Sequence, residues 1–347
     1  MTPLDILEPP RPDAGPMLER IETAFNGMRR AYLLRQALEL DVFDRLANAK
    51  SVEALSQEMG TDPSMTRMFL EALLSDDLLV KMGQEYMSSP ISAAYLMSSS
   101  PTSLRGSFER SLREIDGWHD LSVVLRDGPR TVDRSSLFDR RWIQSIAATA
   151  LCGSVQKVSS EVSEVVDLRS VRKMLDLGGG HGLYSIAFSA RNPEMDIYVF
   201  DLPGMVPVAE ENIAHYRADK VHVMAGDFTQ DDIGSGYDLI FSSFNPSGSE
   251  AAMVPLLEAA LAPRGWLVVR QFTEEARNDA LMNLGWNFVS PDGDRRPRRR
   301  FSGPTTLSID EFNSKLVEAG LQVVRRWPMD SMSDITVMRK PVPECSL

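Results

Sequence analysis

The stretch "KMLDLGGGHGLYSIAF", Lys173–Phe188, decides the fold of this chain. A short apolar run that contains Asp176 is followed by three glycines, a histidine and a fourth glycine, and a second apolar run comes next. Glycine adopts positive φ and carries no side chain, so a ligand can lie against bare backbone at such a loop. The loop alone is weak evidence, because a tight turn can have the same composition. The residues around it are needed to decide what binds there.

From Val171 onwards, short β-rich runs alternate with helical stretches. The strand candidates are "KMLDL", "DIYVFDL", "VHVMAGDF", "YDLIFSS" and "WLVVRQF". This alternation predicts a parallel sheet that is covered by helices on both faces, an α/β fold. A last helix, "IDEFNSKLVEAG", precedes "LQVVRRWPM" and "DITVMRKP". We expect these two final strands to pair antiparallel at an edge of the sheet.

Acidic residues also follow the next two strands. Asp201 ends the second strand, where a carboxylate can accept hydrogen bonds from both hydroxyls of a ribose. In the "GDF" after the third strand, Asp227 can accept from an adenine amino group and Phe228 can stack on the base. Helix caps and turns are the alternative roles of such aspartates. Their coincidence at successive strand ends favours a nucleoside site.

The glycine loop lacks the features that bind phosphates. Its sequence is GGGHG rather than G-x-G-x-x-G, and no lysine follows it closely as in a P-loop. Ligands of such folds bind at the carboxyl ends of the strands, so the loop, Asp201 and Asp227 are expected to lie at the same edge. An adenosine that carries something other than phosphates fits this set best.

The N-terminal part of the chain is predicted to be helical with one hairpin. One helix is expected to start after the N-cap Ser51, and another after Asp62 with Pro63 in its first turn. A short hairpin is expected about Gly83. Helix, turn, helix and hairpin in this order are typical of a winged helix.

Charge argues against nucleic acid as the partner of this winged helix. The formal net charge of the chain is -12, whereas nonspecific nucleic-acid affinity depends on lysines and arginines that neutralise phosphates. The candidate recognition helix carries Arg67 but also Glu71, Asp76 and Asp77, which would repel phosphate. We favour a protein–protein or dimerisation module, and a non-enzymatic regulator that uses the winged helix and a basic loop is the alternative.

Composition indicates a globular, cytoplasmic protein. Hydrophobic residues make up 43% of the chain, and no stretch reaches the ~18 apolar residues of a membrane span. The acidic, proline-rich residues 1–16 lack the features of a signal peptide, so we expect a disordered tail. Cys152 and Cys345 have no partner spacing, which argues against a disulfide framework or a metal site. We expect neither a membrane nor a nucleic-acid partner.

Four motifs together resemble a known family. "LDLGGGHG", "VFDLPGMV", "GDF" and "LAPRGWLVV" are similar to the class I S-adenosylmethionine-dependent methyltransferases, and more narrowly to the O-methyltransferases of plant phenolics and bacterial polyketides. The resemblance implies a Rossmann-like S-adenosylmethionine-binding domain, with a mostly parallel sheet and an antiparallel edge strand, over residues 166–347. It also implies a mainly helical winged-helix dimerisation domain over 17–105 and a helical linker bordering the substrate cavity over 106–165. A homodimer and a small-molecule substrate are expected.

The resemblance also assigns the contacts of the cofactor, S-adenosylmethionine. Gly178 and Gly180 would lie against its methionine end, Asp201 would hold the ribose, and Leu202 would pack beside the adenine. Ser242, at the end of the fourth strand, would lie near the amino-acid group of the cofactor. The whole set that it implies is Asp176, Gly178, Gly180, Asp201, Leu202, Asp227, Phe228 and Ser242.

The sequence departs from the family at the general base. The usual base is a histidine in a His-Asp-Trp stretch after the fourth strand, but this chain reads "YDLIFSSFNPSGSEAAM" there. Asn245 forms hydrogen bonds but cannot take a proton. His119, in a segment similar to the linking helix of the family, is the other catalytic candidate. Trp118 beside it is a candidate substrate contact.

Loss of the base does not exclude methyl transfer. A general base contributes a factor of ~10²–10⁴ in rate, whereas alignment of the reactants can contribute ~7–11 kcal/mol. An acceptor that is already anionic or soft, such as an acidic phenol, an enol or a thiol, can therefore react without one. The alternatives are C- or S-methylation, or recruitment of the fold to hydroxylation, decarboxylation or pericyclic chemistry.

A basic run, "RRPRRR" at 295–300, is the strongest cationic cluster of the chain. A solvated loop is one interpretation of it. The other is recognition of an acidic substrate, because arginine binds carboxylates with two parallel hydrogen bonds. Arg298 is the candidate substrate contact in this run.

Overall fold

The computed structural model describes residues 9, 11–133, 139–245, 247–291, 293–299, 302 and 305–342. Most of the predicted tail, Cys345 and Arg300 lie outside the described residues. The chain divides into two compact units, Met1–Arg105 and Gly106–Leu347. The further division that was expected at residue 165 stays a prediction. Within the described ranges, no helix has the length and the apolar character that crossing a bilayer requires.

The first unit is a winged helix, as predicted. Its elements are α1 (Gly15–Glu39), α2 (Val42–Arg45), α3 (Val52–Met59), α4 (Pro63–Ser75), β1 (Leu79–Met82), β2 (Glu85–Ser88) and α5 (Pro90–Tyr95). The Ser51 side chain accepts from the N–H of Ala54 at 3.2 Å, and the Asp62 carboxylate accepts from the N–H of Met65 at 2.9 Å. These two caps fix the starts of α3 and α4 where the sequence predicts them.

Helix α1 presents an apolar stripe to the solvent. At 100° per residue its large apolar side chains fall within a stripe about 100° wide, which is the width of a core-facing helix surface. The members of this stripe are Met17, Leu18, Ile21, Phe25, Met28 and Tyr32, and each is 47–63% exposed. An apolar stripe of this size on a helix surface is typical of a contact with another protein chain.

The second unit contains the predicted α/β fold. Its elements are α6 (Arg105–Asp116), α7 (Leu121–Asp127), β3 (Arg130–Val132), α8 (Arg140–Thr149), α9 (Val155–Val165), β4 (Lys173–Leu177), α10 (Leu183–Arg191), β5 (Asp196–Asp201), α11 (Val206–Tyr216), β6 (Val221–Ala225), β7 (Tyr237–Ser243), α12 (Met253–Ala260), β8 (Leu261–Phe272), α13 (Glu274–Arg277), α14 (Ala280–Trp286), β9 (Val289–Pro291), α15 (Ile309–Glu318), β10 (Gln322–Pro328) and β11 (Ser333–Arg339).

The main sheet has the strand order β10-β11-β8-β7-β4-β5-β6. The five strands β8, β7, β4, β5 and β6 are parallel to one another. At the edge beside β8, β11 pairs antiparallel with β8 and β10 pairs antiparallel with β11, as predicted. The chain leaves β4 towards β5 on one side and later returns to β7 on the other. The order of the strands thus reverses between β4 and β7, and ligands bind at such a point.

Successive side chains of the strands point to opposite faces of the sheet and pack in two separate cores. Met174 and Phe241 pack with α8 to α11 on one face, whereas Leu175 and Ile240 pack with α12 and α15 on the other. Strands that are buried on both faces read as continuous apolar runs, which explains the composition of "KMLDL" and "YDLIF".

Two features of this unit were not predicted. A small parallel pair joins β3 to β9, so a strand of the linking segment is held beside a strand that follows the main sheet. Between α8 and α9, the residues Ala150–Ser154 form a wider π-type turn in which Gly153 has φ 118°. Gly153 allows this backbone conformation, which bends the long helical segment.

Candidate functional site

The glycine loop joins β4 to α10 at the reversal of strand order. Gly178, Gly180 and Gly182 have φ of 70°, 50° and 70°, so each needs the left-handed region that glycine adopts without strain. The N–H of Gly178 donates to the carbonyl of Phe200 at 2.8 Å, which holds the start of the loop to the neighbouring strand. The loop is therefore fixed where ligands of this fold bind.

Side chains of distant segments lie against the loop. A Cβ atom at Gly178 would be 2.5 Å from Nδ2 of Asn245, and one at Gly180 would be 2.8 Å from Cδ1 of Ile143. The bare backbone thus accommodates parts of the protein itself. Ile143 belongs to α8, and no signal in its local sequence indicates that it lies over the loop.

Asp201 lies beside the loop, as the sequence predicts. Its Oδ2 accepts from the N–H of Gly180 and its Oδ1 from the N–H of Leu202, both at 2.7 Å. Burial raises the pKa of Asp201, although the two backbone donors act in the opposite direction. Each carboxylate oxygen has a second lone pair, so two further hydrogen bonds can be accepted.

Asp176 lies beneath the loop and not on its surface. It is 1% exposed, and its Oδ2 accepts from Oγ of Ser185 at 2.6 Å. Burial, together with the nearby charge of Asp201, raises the pKa of Asp176 to about 7, against the effect of Ser185. A Cβ atom at Gly179 would be 2.8 Å from Oδ2 of Asp176, so this carboxyl supports the loop from inside.

Asp227 and Phe228 follow β6, the next strand along the same edge. Oδ1 of Asp227 accepts from the N–H of Thr229 at 3.0 Å and from its Oγ1 at 2.6 Å, which closes a local turn. Phe228 is 8% exposed and packs in the core beside Phe200. These contacts give both residues a structural role, and their adenine contacts stay a prediction.

Leu202 and Ser242 lie on either side of the loop. Leu202 packs with Ile143, Met205 and Val208 in a small apolar cluster next to Asp201. Ser242 is buried near the end of β7, and its Oγ would be 3.2 Å from a Cβ at Gly248. Their predicted contacts with the cofactor are untested by this geometry.

Of the two catalytic candidates, Asn245 adjoins the loop. Its Nδ2 donates to the carbonyl of Leu177 at 3.2 Å, and its Oδ1 accepts from the N–H of Gly248 at 3.1 Å. The side chain thus joins the end of β4 to the turn that follows β7. Both of its polar atoms are engaged in holding this part of the site together.

His119 and Trp118 lie on a short turn between α6 and α7. His119 is exposed, whereas Trp118 is partly buried against Phe288, with ring centroids 4.9 Å apart. A Cβ at Gly285 would be 3.0 Å from the ring of Trp118, so the tryptophan also packs on α14. The contacts of Trp118 are those of a packing residue, and the substrate role of both residues stays a prediction.

His181, inside the glycine loop, is neutral at physiological pH. It is 5% exposed, and burial lowers its pKa to about 4. Its Nδ1 accepts from the N–H of Leu183 at 3.1 Å, and its carbonyl accepts from Nδ2 of Asn212 at 2.8 Å. This histidine secures the start of α10.

Three of the described arginines of the basic run, Arg296, Arg298 and Arg299, are engaged within the protein. Arg298 donates from Nη2 to the carbonyls of Trp286 and Val289, at 3.2 and 2.6 Å. Arg296 pairs with Asp294 at 2.7 Å, and Arg299 pairs with Glu274 at 2.5 Å. The proposed role of Arg298 in substrate recognition is untested, and its backbone contacts indicate that it holds this segment in place.

Sequence reasoning missed a polar cluster at the end of β8. Arg270 is 3% exposed and donates to Ser154, Tyr184, Ser333 and Asp330 at 2.7–3.1 Å. Gln271 is 2% exposed, and its Nε2 donates to Oγ of Ser249. The signal was present, because an Arg-Gln pair interrupts the apolar run "WLVVRQF".

Residues 141–295 match the family described as "O-methyltransferase domain", and residues 23–98 match "O-methyltransferase dimerisation domain". The uncharacterized protein MJ0086 of Methanocaldococcus jannaschii is 30% identical over 324 residues, which cover 90% of this chain and 87% of that protein. The tetracenomycin polyketide synthesis 8-O-methyl transferase TcmO of Streptomyces glaucescens is 27% identical over 283 residues, or 77% of this chain and 81% of that protein.

Solved structures show the same fold. An O-methyltransferase family protein from Burkholderia thailandensis superposes with a TM-score of 0.76 at 17% identity, over 94% of this chain and 99% of that one. Human N-acetylserotonin methyltransferase in complex with S-adenosylmethionine superposes with a TM-score of 0.72 at 21% identity, over 94% of this chain and 98% of that one. Fold, glycine loop and sequence matches agree, and the chain belongs to the O-methyltransferase family, whose enzymes take their methyl group from S-adenosylmethionine.

Proposed function

We propose that this enzyme methylates a small molecule whose acceptor atom is anionic or easily ionised near neutral pH, such as an acidic phenol or enol. It does so without a histidine base. When bound, S-adenosylmethionine supplies a methyl group that its sulfonium already activates. The task of the protein is then to align donor and acceptor, which is the larger contribution to the rate.

Asp201 is the observation that carries the proposal. Its carboxylate is held at the end of β5 by two backbone N–H groups, and two acceptor positions remain. These positions suit the two hydroxyls of a ribose. The glycine loop beside it has positive φ at Gly178 and Gly180 and carries no side chains there, and Asn245 and Ile143 lie against these two glycines.

The nearby polar groups support transfer without a base. His181 is kept neutral by burial, but its Nδ1 already accepts a hydrogen bond from the backbone. Asn245 has no proton-accepting chemistry at neutral pH and is engaged at both polar atoms. His119 is exposed on its turn. None of the three is a buried, oriented base in this structure.

Calorimetry of S-adenosylmethionine and S-adenosylhomocysteine tests the cofactor role. Asp201→Ala removes two charge-assisted hydrogen bonds of ~1.5–3 kcal/mol each, so affinity is expected to fall at least about 100-fold. Asp196→Asn, at the half-exposed start of the same strand, is the matched control and should bind as the wild type does. Equal affinity of Asp201→Ala and wild type would contradict the assignment.

The acceptor class is tested with tritiated methyl donor and a series of phenols of graded pKa. At pH 7 the rate is expected to fall as the acceptor pKa rises above neutrality, because none of the three candidate residues supplies a base. A rate independent of acceptor pKa would contradict base-free transfer. Turnover of an acceptor with S-adenosylhomocysteine in place of the donor would favour the alternative, non-methylating chemistry.

The dimer is proposed to form through the apolar stripe of α1. This stripe lies partly within residues 23–98, which match the dimerisation domain. Six large apolar side chains at helical spacing are exposed there, and a second copy of the chain would remove them from water.

A further inference from the structure

Buried polar atoms without partners concentrate at the end of β8. Among the described residues, Ser243 Oγ, Gln271 Oε1, Glu274 Oε1 and Arg277 Nε are inaccessible to solvent and form no hydrogen bond. Gln271 and Arg277 are 2% and 4% exposed. Buried polar groups are almost always hydrogen-bonded, so four such atoms in one region need an explanation. A bound molecule that supplies the partners is one.

A chain of hydrogen bonds connects this region with the glycine loop. Asn245, which lies against Gly178, accepts at its carbonyl from Oγ of Ser249 at 3.3 Å. Ser249 also contacts Gln271, and its carbonyl accepts from the N–H of Leu307 at 3.1 Å. The carbonyl of Leu307 in turn accepts from Nη1 of Arg277 at 3.1 Å. Gln271 and Arg277 are therefore linked by hydrogen bonds to Asn245, the residue that lies against the glycine loop.

Arg277 is a buried cation without an ion-pair partner among the described residues. Burial lowers the pKa of Arg277. Of its two charged neighbours, Glu274 raises this pKa and Arg299 lowers it. Glu274 is already paired with Arg299 at 2.5 Å. Arg299 also interacts with Glu311, whereas none of the ion pairs among the described residues includes Arg277. A buried charge is costly unless an opposite charge accompanies it.

Arg277 differs from the arginines of the basic run. Arg296, Arg298 and Arg299 spend their donors on a carboxylate or on backbone carbonyls. Arg277 also donates from Nη1 to the carbonyl of Leu307, but its buried Nε has no partner. A ligand here would find one charged donor, Arg277, two neutral oxygen atoms and the carboxylate of Glu274, which Arg299 already pairs.

We propose that the end of β8 and helix α13 form a recognition site for a carboxylate on the methyl acceptor, with Arg277 as its charged partner. This inference rests on the proposed function and specifies its substrate class: a hydroxylated acid rather than a neutral phenol. Gln271 Oε1 and Ser243 Oγ then accept from hydroxyl groups of the same molecule.

A matched set of probes tests this inference. 3-Hydroxybenzoate, 3-hydroxybenzamide and 3-methylphenol differ in one substituent, which is a carboxylate, an amide and a methyl group. Their binding is measured by calorimetry on wild type saturated with S-adenosylhomocysteine. The acid is expected to bind at least about tenfold more tightly than 3-methylphenol, or about 1.4 kcal/mol. Equal affinities, or no measurable binding of the acid, would overturn the proposal.

Two variants that change the preference for the acid in opposite directions make the test more specific. Arg277→Gln should abolish the advantage of the acid, whereas Glu274→Gln should increase it about threefold or more, because a repelling carboxylate is removed. Arg296→Gln, an exposed arginine of the basic run, is the control and should leave the order of affinities unchanged. Survival of the acid's advantage in Arg277→Gln would overturn the proposal.

Cofactor affinity separates the possible failures. If Arg277→Gln no longer binds S-adenosylhomocysteine, that variant is misfolded and Glu274→Gln becomes the deciding variant. An acid preference that is unchanged or weaker in Glu274→Gln than in wild type would contradict the carboxylate site. If wild type itself binds neither form of the cofactor, the proposed function fails. Tight cofactor binding and methyl transfer to neutral and acidic phenols alike would overturn the carboxylate site alone.

Discussion

Replacement of Asp176 by asparagine tests the electrostatics beneath the glycine loop. The carboxyl is 1% exposed, and burial followed by the charge of Asp201 raises its pKa from 3.8 to about 7. The folded protein therefore binds this proton more tightly than the unfolded chain does. This proton stabilises the folded state. The stabilisation is fully present below the pKa of Asp176 in the unfolded chain, and it is lost as the pH rises through about 7, the pKa of Asp176 in the folded protein.

The size of the effect follows from the shift. One pKa unit corresponds to ~1.36 kcal/mol, so a shift of about three units corresponds to ~4 kcal/mol between acid and alkaline limits. Asp176→Asn cannot ionise, and its amide oxygen can still accept from Ser185. The free energy of unfolding of the variant, relative to wild type, is expected to rise by about 3 kcal/mol between pH 5 and pH 8.

Urea titrations at unit steps of pH measure this difference. All five tryptophans lie in the second unit, so their fluorescence reports on the unit that contains Asp176. Asp196→Asn is the control: its partner Lys220 lowers the pKa of this exposed carboxyl, so the difference from wild type should stay constant over the same range. A difference between Asp176→Asn and wild type that does not grow with pH would refute the reasoning.

Three further outcomes are expected. Phe25→Asp, in the exposed stripe of α1, should yield monomers in light scattering, whereas Glu22→Lys on the same helix should leave a dimer. Arg270→Ala removes four side-chain hydrogen bonds, two of them to the buried Ser333 and Tyr184, and should cost about 3 kcal/mol of unfolding free energy. Gly182→Ala forces φ 70° on a residue with a side chain and should cost about 1–3 kcal/mol in urea titration, whereas Gly204→Ala, which meets nothing within 4 Å, should cost little.

The local elements were predictable because local chemistry dictates them. Ser51 and Asp62 cap their helices through bonds to residues three positions away, and such short-range contacts are visible in sequence. The order of strands and helices fixes a parallel sheet, since parallel strands need crossover connections. The positive φ of Gly178, Gly180 and Gly182 follows from the same reasoning.

The site was only partly predictable because its contacts join distant segments. Ile143 reaches Gly180 from a helix more than thirty residues earlier, and nothing in its own surroundings indicates this. The carboxylate of Asp227 closes a local turn, and its contact with an adenine stays a prediction. Spacing in sequence places a residue at a strand end, but only tertiary packing decides which way its side chain points.

Charge is distributed unequally along the edge of the sheet where the site lies. The carboxyls of Asp176 and Asp201 follow β4 and β5, on one side of the reversal in strand order. Arg277, the buried cation with an unpaired Nε, follows β8 on the other side. A cationic methyl donor is favoured where carboxylates lie, and an anionic methyl acceptor is favoured where an unpaired guanidinium lies. In the proposed complex, this polarity places the cationic methyl donor beside Asp201 and the carboxylate of the methyl acceptor beside Arg277.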